Sequence, residues 1–473
     1  MQGNFPKRAL LFCLALSLCA CTLVVDDPNG PAQSTTPVAT GTTAPLYTPP
    51  ERPDAQAAAD AALDALPEMD FGGATLLIAM ADETAGSVLF PAAGELEEDK
   101  ARLLRNAAVT ERYGVKFIPS SAPVDTIYQE TLAASNAGLY YADLLLLPAE
   151  QVGRFATAGL LRNLRNLPFW SNSPAGEAAL VNDAVYADLG EAVKNHSSLP
   201  AVYFNRAMAE SLGFDFYADV DAGAWTWERY FAAAAAAATL DGKAGHALVP
   251  TDPARYADLC VASSGVTMVA NPLGQAPTMT QDTASIELLD GLLRRLREAA
   301  FPARAENPIA ALQAFTVDGI LLCTGDLAYI DWIYDASTAW GILPLPSIDG
   351  ETYTPAGAAA PTLCVTANNN KFELTGLTLT ALNAASTDVI TEAFITQRLR
   401  NSLRDWQSAG MIERIADNVC YDFVTLYGAV LSNAVAATRT AQRNAAAGGA
   451  SFVSVFNTYR AAANGDLARV FGN

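Results

Sequence analysis

Short apolar runs alternate with polar segments along the first part of the chain. Three of these runs have the length of a strand, namely 73–80, 115–119 and 142–148. The first and the third contain few polar positions, which is typical of strands buried on both faces of a sheet. The segments 97–113 and 124–136 between them predict helices. An order of strand, helix, strand, helix, strand predicts a parallel α/β sheet with right-handed crossovers.

The middle of the chain repeats this alternation. Strands are predicted at 199–205, at 320–323 and at 340–346, where the last one is closed by prolines. A helix is predicted to begin after Thr226, whose hydroxyl can cap the first turn. From about residue 387 to the end, nearly the whole sequence predicts helix. The pattern therefore predicts a second α/β unit and a helical C-terminal tail.

The N-terminus has the pattern of an export signal. Two basic residues precede the apolar run 9–20, which is too short to span a bilayer and suits a signal peptide. The run ends in Leu-Cys-Ala-Cys and resembles the bacterial lipobox, so we predict that residues 1–20 are removed and that Cys21 is lipidated. An ordinary secretory signal rich in cysteine is the alternative. Residues 21–66 then predict a flexible Pro-rich tether that ends in a short helix.

Composition excludes several classes of function. The 473 residues allow two or three domains, and 51% of them are hydrophobic, which permits large cores. With 29 Lys and Arg against 50 Asp and Glu, the net charge is −21, so we expect no nucleic-acid partner. Only His196 and His246 are available as histidine ligands, and the cysteines have no CxxC spacing, so we expect no metal and no cofactor. Disulfides among the four internal cysteines stay open.

Several motifs together carry a family resemblance. They occur in the order "ERYGVKF", "YADLLLLP", "LPAVYFNRAMAESLG", "WTWERY", "GILLCTGD", "WGILPLP" and "IADNVCYDF". In this order the chain resembles the extracellular solute-binding lipoproteins of ABC importers, particularly the group of maltose-binding-protein-like sugar binders. The likeness covers nearly all of 67–473. One departure is Asp318-Gly319 before the strand "ILLC", where the family usually has Gly-Lys.

The resemblance implies an α/β fold of the two-lobe periplasmic-binding-protein type. Each lobe is expected to be a mostly parallel sheet flanked by helices, with the ligand held in the cleft between the lobes. A helical tail is expected at the C-terminus. The expected boundaries are 67–198 plus 346–386 for lobe one, 206–339 plus 387–473 for lobe two, and 199–205 with 340–346 for the hinge.

The candidate ligand contacts follow the ends of predicted strands. A sugar needs carboxylates or amides for its hydroxyls and rings for stacking, and ligands in α/β sheets lie beyond the carboxyl ends of strands. The strand-end candidates are Asp82, Glu83, Glu150, Asp326, Tyr329 and Trp332. By resemblance, Glu83 and Glu150 match acidic ligand contacts of maltose-binding relatives. Also by resemblance, Ser198 matches a polar contact before the first hinge strand and Tyr329 a cleft aromatic.

Each candidate also has a structural interpretation. The carboxylates can be solvated loop charges or can stabilise helix N-termini, and Tyr329 and Trp332 can belong to the core of lobe two. Trp225 and Trp227 beside the Thr226 cap are expected to be packing residues. Leu147 and Leu327 stand where maltose-binding relatives have stacking tryptophans, which argues against maltodextrin as the ligand.

These observations predict a binding protein. It is expected to close around a carbohydrate, in particular an oligosaccharide, and to deliver it to the permease subunits of an ABC importer. It is expected to be a monomer held by its lipid on the outer face of the cytoplasmic membrane. The alternatives are an exported glycan-processing hydrolase and a binder of a non-sugar solute. No GxSxG, HExxH, Walker A or GxGxxG motif supports an enzyme.

Overall fold

The computed structural model describes most of the chain after the tether. The described residues are 54–83, 86–92, 94, 96–171, 173, 176, 179–248, 253–298, 308–333, 336, 338–401 and 405–472. The predicted signal peptide, Cys21 and the tether up to residue 53 lie outside them. Within these ranges, no helix is both long enough and apolar enough to cross a membrane.

The described residues form short strands and many helices. In chain order, the strands are β1 (Ala74–Ala81), β2 (Val115–Ala122), β3 (Leu144–Pro148), β4 (Leu180–Val181), β5 (Ala184–Val185), β6 (Pro200–Asn205), β7 (Ala244–Leu248), β8 (Val269–Ala270), β9 (Thr278–Met279), β10 (Ile320–Asp326), β11 (Trp340–Leu343), β12 (Thr354–Pro355), β13 (Pro361–Val365) and β14 (Val419–Cys420). The α-helices are α1 (Ala55–Asp64), α2 (Glu97–Tyr113), α3 (Val124–Asn136), α4 (Val152–Thr157), α5 (Arg206–Ser211), α6 (Phe216–Asp221), α7 (Trp227–Ala237), α8 (Pro253–Ala262), α9 (Thr283–Glu298), α10 (Pro308–Thr316), α11 (Ile330–Ile333), α12 (Phe372–Ala384), α13 (Val389–Asn401), α14 (Trp406–Asp417), α15 (Phe423–Tyr427), α16 (Ser432–Val435), α17 (Ala441–Ala446) and α18 (Phe452–Phe471).

The first sheet has the strand order β13-β3-β1-β2. β1 is parallel to both β2 and β3, whereas β13 is antiparallel to β3. The three strands predicted from the first part of the chain are therefore present and pair in parallel. Every residue of β3 is buried, because helices cover both faces of a sheet built from strand-helix-strand units.

The second sheet has the strand order β11-β6-β10-β7. Only β7 and β10 are parallel, because β6 is antiparallel to both of its neighbours, β10 and β11. The expectation of a mostly parallel sheet is therefore confirmed for the first sheet and wrong for the second. An apolar run indicates that a strand is buried, but it does not show whether the strand runs parallel or antiparallel to its neighbours.

The C-terminal region is helical, as predicted, and its helices pack in two places. α13 packs against α2 beside the first sheet and also against α14, which in turn contacts β11 of the second sheet. α17 and α18 pack against α8 and α9. The boundaries of the two lobes stay a prediction.

One buried carboxylate connects three parts of the first sheet. Asp143 is completely buried, and its Oδ2 accepts hydrogen bonds from the backbone N of Leu77 (2.8 Å) and from Nζ of Lys371 (2.9 Å). Its Oδ1 accepts from Nδ2 of Asn369 at 3.0 Å. Because a buried carboxylate needs hydrogen-bond donors and these three supply them, Asp143 is a structural residue that joins β1, β3 and the loop before α12.

A second buried polar cluster lies on the second sheet. His246 of β7 is completely buried, and its Nδ1 lies 2.5 Å from the hydroxyl of Tyr230 in α7. Burial raises the pKa of Tyr230, so this phenol keeps its proton and forms a hydrogen bond with Nδ1 of the imidazole. Burial also lowers the pKa of His246 to about 3.

Candidate functional site

A cavity of about 1050 Å³ opens where segments from distant parts of the chain meet. Glu83 follows β1, and Ser198 precedes β6. Most of the other lining residues belong to α8 and the loop after it, to the segment between β12 and β13, and to the C-terminal segments around β14 and α17, and the rest lie in or beside β6, β8 and β12. The volume is at the upper end of the range of about 300–1,000 Å³ that ligand pockets occupy.

Two of the seven residues predicted to bind ligand line this cavity. The carboxylate of Glu83 is exposed, and it accepts hydrogen bonds from the backbone N of Val124 at 3.1 and 3.3 Å. It therefore stabilises the N-terminus of α3 while it faces the cavity. Ser198 is exposed and donates from its hydroxyl to the carbonyl of Asn195 at 2.9 Å. Both side chains keep acceptor capacity for a ligand hydroxyl.

Asp82 and Glu150 lie outside the cavity lining. Asp82 directly follows β1 and is exposed, and its backbone N donates to the carbonyl of Ala122 at 3.0 Å. Glu150 is exposed in the short turn after β3, where its backbone N donates to Ala358 at 3.1 Å. These positions match the interpretation of both side chains as solvated charges.

The structure also leaves Asp326, Tyr329 and Trp332 outside the lining. The backbone N of Leu327 donates to the carbonyl of Leu199 at 2.8 Å, so the chain after β10 folds onto the start of β6. Tyr329 packs against the hydrophobic core of this region, and Trp332 is 61% exposed to solvent. Because β6 is antiparallel to β10, the carboxyl end of β10 meets the start of β6 instead of an open strand end.

The cavity wall contains an ion pair that was not predicted from the sequence. The guanidinium of Arg443 binds both oxygens of Asp258, with Nη2 2.5 Å from Oδ2 and Nε 3.3 Å from Oδ1. Arg439 lies nearby and donates from Nη2 to the hydroxyl of Thr425 at 2.5 Å. Burial raises the pKa of Asp422, and the charge of Arg439 partly offsets this increase.

Three aromatic residues also contribute to the wall. Phe423 is buried, whereas Tyr353 and Tyr421 are half-buried. The hydroxyl of Tyr353 donates to Oδ2 of Asp349 at 2.9 Å, and burial together with this contact raises its pKa to about 12. Burial raises the pKa of Tyr421, so its hydroxyl is also protonated at neutral pH. Rings of this kind offer apolar faces for the weakly apolar face of a sugar.

The C-terminal helix contains a local irregularity beside the cavity. The segment 436–440 between α16 and α17 is a π-helix. Such segments are rare and occur frequently at functional sites. Thr438, Arg439, Gln442 and Arg443 of this helical segment all line the cavity.

A signal for this wall was present in the sequence. The motif "IADNVCYDF" was part of the family resemblance, and it contains Tyr421, Asp422 and Phe423. This region was predicted to be continuous helix, so its contribution to a site was not recognised. In the structure, β14 interrupts the helices there and pairs with β12.

The described residues of the cavity wall are not suited to thiol or metal chemistry. The four internal cysteines that the structure describes are free, and three of them are buried, as predicted for thiols in apolar surroundings. Cys420 lines the cavity, and burial raises its pKa to about 12, so it carries no thiolate at neutral pH. In the described ranges, no group of three or more His, Cys, Asp or Glu side chains could hold a metal ion. The arrangement is suited to hydrogen bonding and stacking.

Solved structures of known proteins are similar to this fold. The GacH receptor of Streptomyces glaucescens GLA.O, whose structures include complexes with acarbose and an acarbose homolog, is 13% identical, with a TM-score of 0.50 over 85% of this chain and 99% of the receptor. The galacto-N-biose/lacto-N-biose I-binding protein of the ABC transporter from Bifidobacterium longum, in complex with lacto-N-biose, is 14% identical, with a TM-score of 0.52 over 85% of this chain and 98% of that protein. At these identities the likeness shows the fold, which is the expected two-lobe α/β architecture.

The sequence itself gives the family. No curated protein matches the chain significantly. The family model described as bacterial extracellular solute-binding protein matches residues 106–403, which is more than half of the chain. The protein therefore belongs to the family of bacterial extracellular solute-binding proteins.

Proposed function

We propose that this solute-binding protein captures a neutral carbohydrate, in particular an oligosaccharide, and delivers it to an ABC importer. The observation that carries the proposal is the lining of the large cavity. It combines protonated tyrosines, a buried amide, hydroxyls and carboxylates on one continuous surface. Sugar hydroxyls both donate and accept hydrogen bonds, and such a mixed lining can satisfy them.

The charges of the lining support a neutral solute. Its two guanidinium groups already have partners, because Arg443 is paired with Asp258 and Arg439 binds Thr425 beside Asp422. The lining also contains the carboxylates of Glu83 and Asp417. An anionic solute would meet this excess of negative charge and would have to break an existing ion pair.

The structural neighbours support the same class of ligand. The GacH receptor binds acarbose, and the Bifidobacterium protein binds lacto-N-biose. The cavity volume of about 1050 Å³ accommodates a ligand of more than one sugar ring. Leu147 and Leu327 stand where maltose-binding relatives have stacking tryptophans, so we do not propose maltodextrin as the ligand.

The remaining parts of the proposal concern location and partners. The apolar run 9–20 and the lipobox-like end at Cys21 support export and a lipid anchor on the outer face of the cytoplasmic membrane. We propose that the protein acts as a monomer and docks on permease subunits of its importer. Its acidic surface, with a net charge of −21, makes this docking sensitive to salt.

A thermal-shift screen with analysis of the recovered ligand tests the function. Neutral mono-, di- and trisaccharides are added to the purified mature protein, with amino acids and sugar phosphates as controls. A ligand at 100 times its Kd should add about 2.7 kcal/mol of stability. Mass spectrometry should then recover the sugar intact. Cleaved sugar would support the hydrolase alternative, and stabilisation by none of the neutral sugars would contradict the proposal.

A cationic solute is the second candidate. It is favoured by the same excess of carboxylates, since Glu83 and Asp417 have no guanidinium partner within the lining. Basic amino acids and polyamines in the same screen distinguish this candidate, because only a cationic solute would lose affinity steeply as the salt concentration rises.

A further inference from the structure

The cavity contains one buried amide whose polar atoms are not used by the protein. Gln442 of α17 is 5% exposed and belongs to the cavity lining. Its side chain makes no hydrogen bond to any other residue in the described ranges, and neither of its polar atoms is closed off from the cavity. Because Gln442 lines the cavity and its amide is neither paired nor fully enclosed, a ligand that fills this space can hydrogen-bond to it.

The other buried polar side chains of the lining are already satisfied. The hydroxyl of Thr438 donates to the carbonyl of Ala434 at 2.8 Å, and the hydroxyl of Thr425 accepts from Arg439. Among the described lining residues that are at least nine-tenths buried, Gln442 is the polar side chain without a partner. Buried polar groups without partners are rare because the loss of water is not compensated.

We propose that Gln442 is a specificity-determining residue that forms hydrogen bonds with a pair of adjacent ligand hydroxyls. This inference rests on the proposed capture of a carbohydrate. The amide nitrogen donates to one hydroxyl oxygen, and the amide oxygen accepts the proton of an adjacent hydroxyl. A vicinal diol of a pyranose offers this donor and acceptor pair.

The residues around Gln442 favour discrimination against sugars that lack one hydroxyl of the pair. Arg443, the next residue, is held by Asp258 on the neighbouring helix α8, and Arg439, one turn earlier, is held by Thr425. In the sequence, the neutral amide thus lies between two charged residues that already have hydrogen-bond partners. A sugar that lacks one hydroxyl of the pair would leave part of the buried amide unsatisfied, and sites of this kind discriminate strongly against such analogues.

The test compares two identical substitutions at differently partnered glutamines. Gln442→Leu removes both polar atoms from the cavity, whereas Gln397→Leu in α13 removes an acceptor of the Glu97 backbone N (3.0 Å) outside the cavity. The probe is whichever of maltotriose, cellotriose, xylotriose and lacto-N-biose binds the wild type most tightly, measured by calorimetry. Gln442→Leu should raise its Kd at least tenfold and leave the melting temperature of the ligand-free protein unchanged or higher. Gln397→Leu should lower that melting temperature and leave Kd within twofold.

Single-deoxy analogues of the same probe locate the hydroxyl pair. One analogue should bind the wild type at least tenfold more weakly than the parent sugar, and it should bind Gln442→Leu about as well as the parent does. Such non-additivity shows a direct contact between the amide and the missing hydroxyl. If Gln442→Leu does not fold, Gln442→Met, which keeps the length of the side chain, replaces it.

The outcomes separate this inference from the proposed function. If the wild type binds a probe and Gln442→Leu binds it within threefold, Gln442 is not a specificity residue, although carbohydrate capture stands. If Gln442→Leu loses affinity and melting temperature together, the residue is structural and the inference is wrong. If the wild type binds none of the four probes, the proposed function fails first and the inference fails with it.

Discussion

The buried imidazole of His246 should control much of the acid sensitivity of the second sheet. The side chain is completely buried in β7, and its Nδ1 forms a hydrogen bond with the Tyr230 hydroxyl. Burial lowers its pKa to about 3, whereas an unfolded histidine has a pKa of about 6.5. Below pH 6.5 the unfolded chain therefore binds a proton that the folded protein does not bind, and the free energy of unfolding falls as the pH falls.

The size of the effect follows from the width of this pH window. Well inside this window each pH unit costs about 1.4 kcal/mol of stability per such histidine, and less near pH 6.5, where half of the unfolded chains are already protonated. Acidification from pH 6.5 to pH 4.5 should therefore cost about 2.3 kcal/mol. His246→Asn removes this loss and keeps a hydrogen-bonding group near the Tyr230 hydroxyl. Between pH 6.5 and pH 4.5, the variant should therefore lose about 2.3 kcal/mol less stability than the wild type.

Urea unfolding at pH 7.5, 6.5, 5.5 and 4.5 measures the difference. The contributions of His196 and of buried carboxylates such as Asp188, whose pKa burial raises to about 6, occur in both proteins and cancel. Thr324→Val is the matched control, because its hydroxyl contacts Tyr230 in the same cluster but does not titrate. Parallel curves for His246→Asn and the wild type would show that His246 is protonated in the folded protein and would refute the reasoning.

Three further predictions concern the core, the site and the anchor. Asp143→Ala should lower the free energy of unfolding by about 3–5 kcal/mol in urea titrations, because it leaves the backbone N of Leu77 without its acceptor and removes one acceptor each from Asn369 and Lys371; a loss below 1 kcal/mol would contradict this. Trp332→Ala should leave carbohydrate affinity unchanged in calorimetry, whereas Tyr421→Ala should weaken it by about 1–3 kcal/mol; the reverse result would place the ligand at the end of β10. Cys21→Ser should leave unprocessed precursor and abolish membrane retention by lipid, and a processed, membrane-bound mutant in cell fractionation would exclude the lipid anchor.

The sequence predicted several helices and packing residues well because strong local signals act at these positions. The helices α2 and α3 have the predicted bounds, and Thr226 caps α7 by accepting from the backbone N of Arg229 at 3.3 Å. Trp225 and Trp227 are buried, as expected for packing residues. Hydrophobic period, caps and prolines are local, and they therefore remain readable without knowledge of the tertiary structure.

The candidate site was harder to predict because its walls join residues that are far apart in the chain. The rule that ligands lie beyond strand ends found Glu83, since β1 is a parallel strand with an open carboxyl end. It did not apply at Asp326, where β10 runs against β6. The sequence also contained no signal for the π-helical turn at 436–440, which includes Arg439 and precedes Gln442 in the cavity wall.

The C-terminal helical segment is attached to two distant parts of the chain. The hydroxyl of Tyr427 in α15 donates to the carbonyl of Ala179 at 2.7 Å. Arg443 of α17 pairs with Asp258 of α8. Gln442 lies between these two attachments in the sequence and lines the cavity. A ligand bound to Gln442 would therefore contact a segment that tertiary contacts hold at both ends, and such contacts between distant residues are not encoded in any local pattern of the sequence.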